Sequence, residues 1–307
     1  MPGTREYTGM RTVQPPTLED VHAAEARIRP LLPPTPLLDG LKLETLQPTG
    51  SFKVRGALAA LTALPPGTKV VTASAGNHGL AVAWAAAELG LEATIVVAET
   101  ASQAKVQAIS RFPAALVQHG PDYDAAERHA LTLEGHYVSP YNDREVIAGA
   151  GTLALELAAA ETIVVPLGGG GLAGGVGLAA SGRVVGVVAE ASPAMLASVE
   201  AGRAVEVEVR ETLADGLAGN IEPGSVTVEL CSRHLRTVVA VSEEEIEEAM
   251  RHLVREYGLV TEGSGAAAVA ALLAGKVVPE GATVAVVSGR NVTLETFAGV
   301  LERDARG

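Results

Sequence analysis

Cysteine is almost absent. The single thiol, Cys231, excludes an intramolecular disulfide and leaves no thiolate pair for a zinc site, so a reducing cytoplasm is the expected compartment. Basic residues are scarce: 23 Lys plus Arg stand against 36 Asp plus Glu, a net charge of −13. That balance opposes phosphate backbones and anionic lipid, so neither nucleic acid nor a membrane is expected as a partner. Long apolar runs are missing too, since residues 81–87 and 266–274, the most apolar stretches, fall short of the roughly 20 that cross a bilayer. They read as buried helices. The opening MPGTREYTGMRT is polar, so neither a secretory signal nor an anchor is expected there, and residues 1–14 are expected to fray. His22, His119, His129, His136, His234 and His252 show no metal-ligand spacing, and no solenoid repeat is present.

What remains is a balance of 48% hydrophobic and 19% charged residues over 307 positions, enough for a globular protein of two domains. Apolar, β-branched runs at residues 69–72, 93–97, 115–118, 162–166, 184–189, 237–241 and 283–287 alternate with Ala-rich helical stretches. This pattern predicts an α/β fold of parallel sheets covered by helices on both faces. Pro65-Pro66-Gly67 and the turn at Ser139-Pro140-Tyr141-Asn142-Asp143 bracket a smaller unit, giving an expected large domain of residues 1–65 and 147–307 and a small mobile domain of residues 66–146. Ser242 with Glu245 predicts a capping box at the start of a helix reaching Tyr257.

Ligands of such sheets sit beyond the carboxyl ends of strands, and four segments there carry chemistry. Gly168-Gly169-Gly170-Gly171-Leu172 follows a strand, so its backbone N–H groups can wrap a phosphate at a helix start. The same stretch matches G-x-G-x-x-G from Gly169 to Gly174, with Glu190 placed as a ribose-binding acid, which leaves an NAD-dependent oxidoreductase open. Ser74-Ala75-Gly76-Asn77-His78 joins a strand to an apolar helix and suits a carboxylate, although a plain Ser or Asn cap would look the same. Ser51-Phe52-Lys53-Val54-Arg55-Gly56 sets a lysine among apolar residues and glycine, where desolvation could make its amine nucleophilic; a surface lysine is the alternative. Ser288-Gly289 ends the last strand, either as a hydroxyl for a buried ring nitrogen or as an ordinary turn.

Together and in this order, these segments resemble the threonine/serine dehydratase and serine racemase family, pyridoxal-phosphate enzymes of the tryptophan-synthase β fold, fold type II. The resemblance runs from about Pro34 to Val300. It implies that Lys53 holds pyridoxal 5′-phosphate as a Schiff base and then takes the substrate Cα proton. It further implies that Phe52 packs beside the cofactor ring, Asn77 bonds its 3′ oxygen, Gly168, Gly169, Gly170, Gly171 and Leu172 cradle its phosphate, and Ser288 meets its pyridine nitrogen. Ser74, Ala75, Gly76, Asn77 and His78 would receive the substrate carboxylate. The implied activity is dehydration and deamination of threonine or serine to a 2-oxo acid and ammonia, by a cytoplasmic homodimer. The alternatives within the family are a serine or hydroxyaspartate racemase and a hydroxyaspartate dehydratase.

Several positions depart from the family pattern. Ala75 stands where racemases carry a second acid-base serine, so dehydration is expected to dominate over racemisation. Leu196 stands where animal-type relatives carry a metal-binding acid, which leaves Glu190 and the Ala194 carbonyl as the only metal candidates and a divalent ion doubtful. Arg290 replaces a small residue of the Ser-Gly-x-Asn turn, and its expected role is a surface ion pair, with selection of a second substrate carboxylate as the alternative. Only residues 289–307 follow Ser288, so no regulatory domain with isoleucine feedback is expected.

Overall fold

The computed structural model describes residues 12–304; residues 1–11, on which most of the expected fraying falls, lie outside the described ones. The first helix, α1 (Leu18–Ile28), starts at a Thr17–Asp20 capping box. A two-strand hairpin follows, β1 (Leu37–Leu38) and β2 (Leu41–Leu43), and then α2 (Lys53–Thr62). Strand β3 (Val70–Ala73) leads into α3 (Asn77–Leu89), β4 (Ala93–Val97) into α4 (Gln103–Ile109), and β5 (Ala115–Gln118) into α5 (Tyr123–Ala130). After β6 (His136–Tyr137) come α6 (Arg144–Leu155), β7 (Thr162–Pro166), α7 (Gly171–Ala179), β8 (Arg183–Ala189), α8 (Ala194–Ala201) and α9 (Val226–His234). The chain closes with β9 (Thr237–Val241), α10 (Glu243–Tyr257), α11 (Gly263–Leu273), β10 (Thr283–Val287) and α12 (Leu294–Asp304). Ser102, Asp122, Asp143 and Ser225 cap α4, α5, α6 and α9, and the Ser242–Glu245 box starts α10 as expected.

The strands form two sheets, so the α/β expectation holds. One has the order β1-β2-β10-β7-β8-β9 and is parallel except for the β1-β2 hairpin. The other, β5-β4-β3-β6, is wholly parallel and drawn from residues 70–137. Side chains alternate across each strand, and the larger sheet shows it directly: Val164, Val185, Val187, Ala285 and Val287 enter one core with α10 and α11, while Ile163, Val165, Val184, Val188, Val284 and Val286 enter another with α7 and α9. Burial on both faces is why these strands read as continuous apolar runs. Residues 81–87 fall in α3 and residues 266–273 in α11, which is buried as far as Ala271 and ends at an exposed Ala274 cap; no helix among the described residues is long and apolar enough to cross a membrane.

Behind the start of α2 lies a buried charge cluster. Arg55, 1% exposed, spans Glu44 at 2.8 Å through Nε and 2.8 Å through Nη2, and Glu156 at 2.9 Å through Nη1 and 3.0 Å through Nη2. Lys42 Nζ reaches Glu156 at 2.5 Å and Arg29 reaches it at 2.9 Å, while Thr35 and Gln47 donate to Glu44. Thus α1, β2, α2 and α6 are tied at one point. Burial alone would push the Glu156 carboxyl up, but hydrogen bonds and charge from Arg55 and Lys42 outweigh it and hold the group at about 2.

Loss of Arg55 would leave the fully buried Glu44 without a cation and Glu156 with only Lys42 and Arg29. Arg55→Met is expected to lower unfolding free energy by about 3–5 kcal/mol, read by urea denaturation. Because the folded Glu156 value lies below its ordinary 4.5, its stabilisation is complete above that pH and disappears as pH falls toward about 2. Glu156→Gln should flatten the acid limb of the stability profile in that window, and an unchanged limb would refute the assignment.

Candidate functional site

The candidate site lies where the carboxyl ends of both sheets face one another. Lys53 opens α2, and its segment is strapped to the end of β10: Ser51 pairs with Gly289 in an antiparallel bridge, the Phe52 N–H donates to the Ser288 carbonyl at 3.0 Å, and the Arg290 N–H to the Gly50 carbonyl at 2.9 Å. Lysine and serine motifs distant in sequence thus become neighbours. The Lys53 amine donates to the Pro140 carbonyl at 2.7 Å and stands 5.2 Å from the Phe52 ring centre. Desolvation brings it down to about 8, opposed by the charge of Glu262.

The glycine loop behaves as its composition predicts. Gly170 takes φ 87° as the residue before α7, and a Cβ there would come within 2.7 Å of Met195 and 2.8 Å of Thr227, so glycine is required. Gly168 and Gly169 precede it, while Gly171 and Leu172 begin the helix, whose first N–H groups have no intrahelical acceptor. The Tyr141 ring packs on this loop and its hydroxyl accepts the Glu222 N–H at 3.0 Å. Ser288 lies just beyond β10, 3% exposed, with its hydroxyl making only a long 3.4 Å bond to the Ser264 carbonyl. The nearby Ser51 and Ser264 hydroxyls are buried without a partner among the described residues.

Between β3 and α3, Ser74 accepts the Gly76 N–H at 3.1 Å, so the loop holds its own shape. Ser74 and Ala75 line a cavity of about 480 Å³ together with Lys105, Asp215, Glu262 and Asn291. Lys105 of α4 and Asp215 of the loop after α8 form a 2.7 Å ion pair that joins the two sheet regions beside this cavity. His78 sits differently from the loop around it: it is 2% exposed, and Nε2 meets the Val138 carbonyl at 3.1 Å. Burial, then the charge of Lys53, pushes its imidazole down to about 3, so it is neutral at working pH.

Asn77 begins α3 and engages a residue that the sequence did not flag. Its Nδ2 donates to Glu262 Oε1 at 2.7 Å and its Oδ1 accepts from Asn291 Nδ2 at 2.6 Å. Burial and the charge of Asp215 push the Glu262 carboxyl up to about 7. No local pattern announces Glu262, since its partner Asn77 lies 185 residues away in sequence.

The metal candidates are otherwise engaged. Glu190 pairs with Lys276 at 3.2 Å, the Ala194 carbonyl accepts the Ser198 hydroxyl at 2.6 Å, and no group of three metal-binding side chains occurs among the described residues. The surface ion pair expected for Arg290 is not formed: the side chain is exposed and has no carboxylate partner among the described residues, its turn being fixed through backbone bonds instead.

A desolvated lysine, a glycine-built helix start, a weakly bonded serine hydroxyl and a second polar helix start form a donor set for a phosphorylated heteroaromatic aldehyde. Known proteins point the same way. The chain is 38% identical to an L-threonine ammonia-lyase of Thermotoga maritima, over 94% of this chain and 78% of that one. Its fold superposes on a threonine deaminase of T.th. with a TM-score of 0.85 at 34% identity, covering 91% of this chain and 99% of that one. Against maize serine racemase the TM-score is 0.87 at 28% identity, covering 95% and 99%. With residues 29–289 matching the family described as pyridoxal-phosphate dependent enzyme, the chain belongs to that family.

Proposed function

We propose that this protein is an ammonia-lyase that dehydrates and deaminates threonine or serine to a 2-oxo acid and ammonia. The observation that carries the reading is Lys53, a desolvated amine strapped beside Ser288 at the mouth of the cleft. Pyridoxal 5′-phosphate supplies the covalent handle for the amino group and the electron sink for charge left at Cα. Lys53 anchors it and, released as a neutral amine, removes the Cα proton. The N–H groups of Gly168, Gly169, Gly170, Gly171 and Leu172 hold its phosphate at the start of α7. Phe52 packs beside the ring and Asn77 donates to the 3′ oxygen.

Ser288 offers a neutral hydroxyl to the ring nitrogen and so does not hold it protonated as a carboxylate would. With the ring nitrogen unprotonated, the cofactor would supply a weaker electron sink, which would favour elimination over transamination. Ser74, Ala75, Gly76 and the first turn of α3 receive the substrate carboxylate, with His78 acting from behind as a neutral packing group. Ala75 offers no acid-base group where racemases carry a serine, which supports elimination over the racemase alternatives. Family membership and the engagement of Glu190 by Lys276 together remove the support for the dinucleotide reading.

Residues 66–146 would close over the substrate, with the Lys105–Asp215 pair as the contact that fastens the closed form. The working form is a cytoplasmic homodimer without a required metal; sedimentation should give twice the chain mass, and a monomer at working concentration would remove that claim.

Borohydride reduction of the yellow protein followed by peptide mapping should place the cofactor on Lys53, and ammonia release should follow threonine or serine in a substrate panel. Lys53→Ala should abolish turnover, a loss of about 10³-fold or more; substantial residual turnover at saturating substrate would sink its assignment as base. Since only the neutral amine attacks, cofactor uptake by the stripped enzyme should accelerate with pH and level off near about 8. A rate still climbing toward 10.5, the ordinary lysine value, would contradict the desolvated environment.

A further inference from the structure

Glu262 is a buried carboxylate without an ion-pair partner among the described residues, 6% exposed, and so carries a desolvation cost that packing alone does not offset. It meets Asn77 at the start of α3 and Asn291 just after β10, groups that follow strands of different sheets. Asn77 Nδ2 donates at 2.7 Å, and the Asn291 backbone N–H faces the carboxylate and favours its charged form. The charged groups that face it are Lys53 of α2, Lys105 of α4 and Asp215. The fit is close: a Cβ on Gly289 would lie 2.3 Å from Glu262 Oε1, so the Ser-Gly turn must be glycine to admit this carboxylate.

On the other side of Asn77, the Asn291 amide nitrogen is a double donor, to the Thr49 carbonyl at 2.8 Å and to Asn77 Oδ1 at 2.6 Å. A nitrogen bound to two oxygens can have only one orientation, which in turn fixes which end of Asn77 is its oxygen. The Asn77 amide therefore points its NH₂ at Glu262. One of its two hydrogens is spent there, and the second is free for an acceptor in the cleft.

We propose that Glu262 and Asn291 are positioning residues that clamp the Asn77 amide from both ends, so that its remaining N–H is aimed at the cofactor's 3′ oxygen. The inference rests on the pyridoxal-phosphate reading given above. It adds a role for two residues that touch neither the lysine nor the phosphate cradle. In its ionised form Glu262 also locks the amide plane more firmly than a neutral acceptor would, since charge-assisted bonds are roughly twice as strong. Glutamine at position 262 keeps the shape but removes the charge and replaces one acceptor oxygen with a donor, so only one of its two terminal atoms can accept from Asn77.

The test is equilibrium dialysis with pyridoxal phosphate, together with the visible absorption maximum of the bound cofactor, on Glu262→Gln, Asn77→Ala and the double variant. Glu262→Gln should weaken cofactor binding roughly 10-fold and shift the absorption maximum, as expected from the loss of a bond to a charged group. The double variant should bind no more weakly than Asn77→Ala alone, because both changes remove the same contact. Wild-type affinity and spectrum in Glu262→Gln, or penalties that multiply in the double variant, would overturn the clamp. If circular dichroism shows that Glu262→Gln does not fold, Asn291→Ala carries the same expectation from the other end. A wild-type protein that yields no borohydride-fixed adduct on Lys53 overturns the reading of the site itself, whereas a normal adduct with an indifferent Glu262→Gln overturns the clamp only.

Discussion

The contact on which the rest of the site depends is the grip of Arg55 on Glu44 and Glu156. It lies two residues past Lys53, on the buried side of α2. A buried ion pair is often no more stabilising than apolar residues of the same shape, so its contribution is best sought in register. If α2 slid or rotated by one residue, Arg55 would leave both carboxylates, and Arg55 and Glu44 would lie unpaired in the interior while Glu156 kept Lys42 and Arg29. Only one placement of α2 satisfies α1, β2 and α6 at once, and that placement fixes where Lys53 points.

A second constraint works from the opposite side. Ser51 bridges Gly289, and Phe52 and Arg290 donate backbone bonds to Ser288 and Gly50, so the first turn of α2 is joined to the end of β10. The segment carrying Lys53 is therefore held between a charge cluster behind it and a backbone strap beside it. Neither device relies on a flexible side chain in the cleft. An amine that must serve one reacting carbon gains from this, because a small misplacement of a catalytic group forfeits much of the rate.

Most of the scaffold was legible in order of residues. All seven apolar runs became strands, five with the expected bounds and the other two, β3 and β8, shifted or extended by one residue. Burial on both faces makes such runs plain. The strands β1, β2 and β6 were not foreseen because two or three residues carry no period, and their pairing is set by neighbours rather than by their own composition. The motif loops lie at strand ends as expected, but Glu262 and the Arg55 cluster were invisible, since partners 11, 101 and 185 residues apart leave no local pattern. Arg290 failed for the complementary reason: a charged residue on the surface needs no partner, and its neighbours use the backbone.

Charge in this protein is divided by task. Where the fold must be fixed, full charges are buried and paired, as in Arg55, Glu44, Lys42 and Glu156. In the candidate site burial shifts groups toward their uncharged forms instead: Lys53 is brought down to about 8 and His78 to about 3, beside the neutral Ser288 hydroxyl and the glycine N–H groups. The common cause is desolvation, which favours the uncharged form of an amine or imidazole wherever no counter-ion is supplied. An ion-paired carboxylate would raise Lys53 again; among the described residues only the charge of Glu262 works in that direction, and no ion pair forms. On the proposed reading, an amine that loses its proton near pH 8 can take one from substrate, and a neutral hydroxyl at the ring nitrogen would leave the electron sink weak, a combination that would favour loss of a β-hydroxyl.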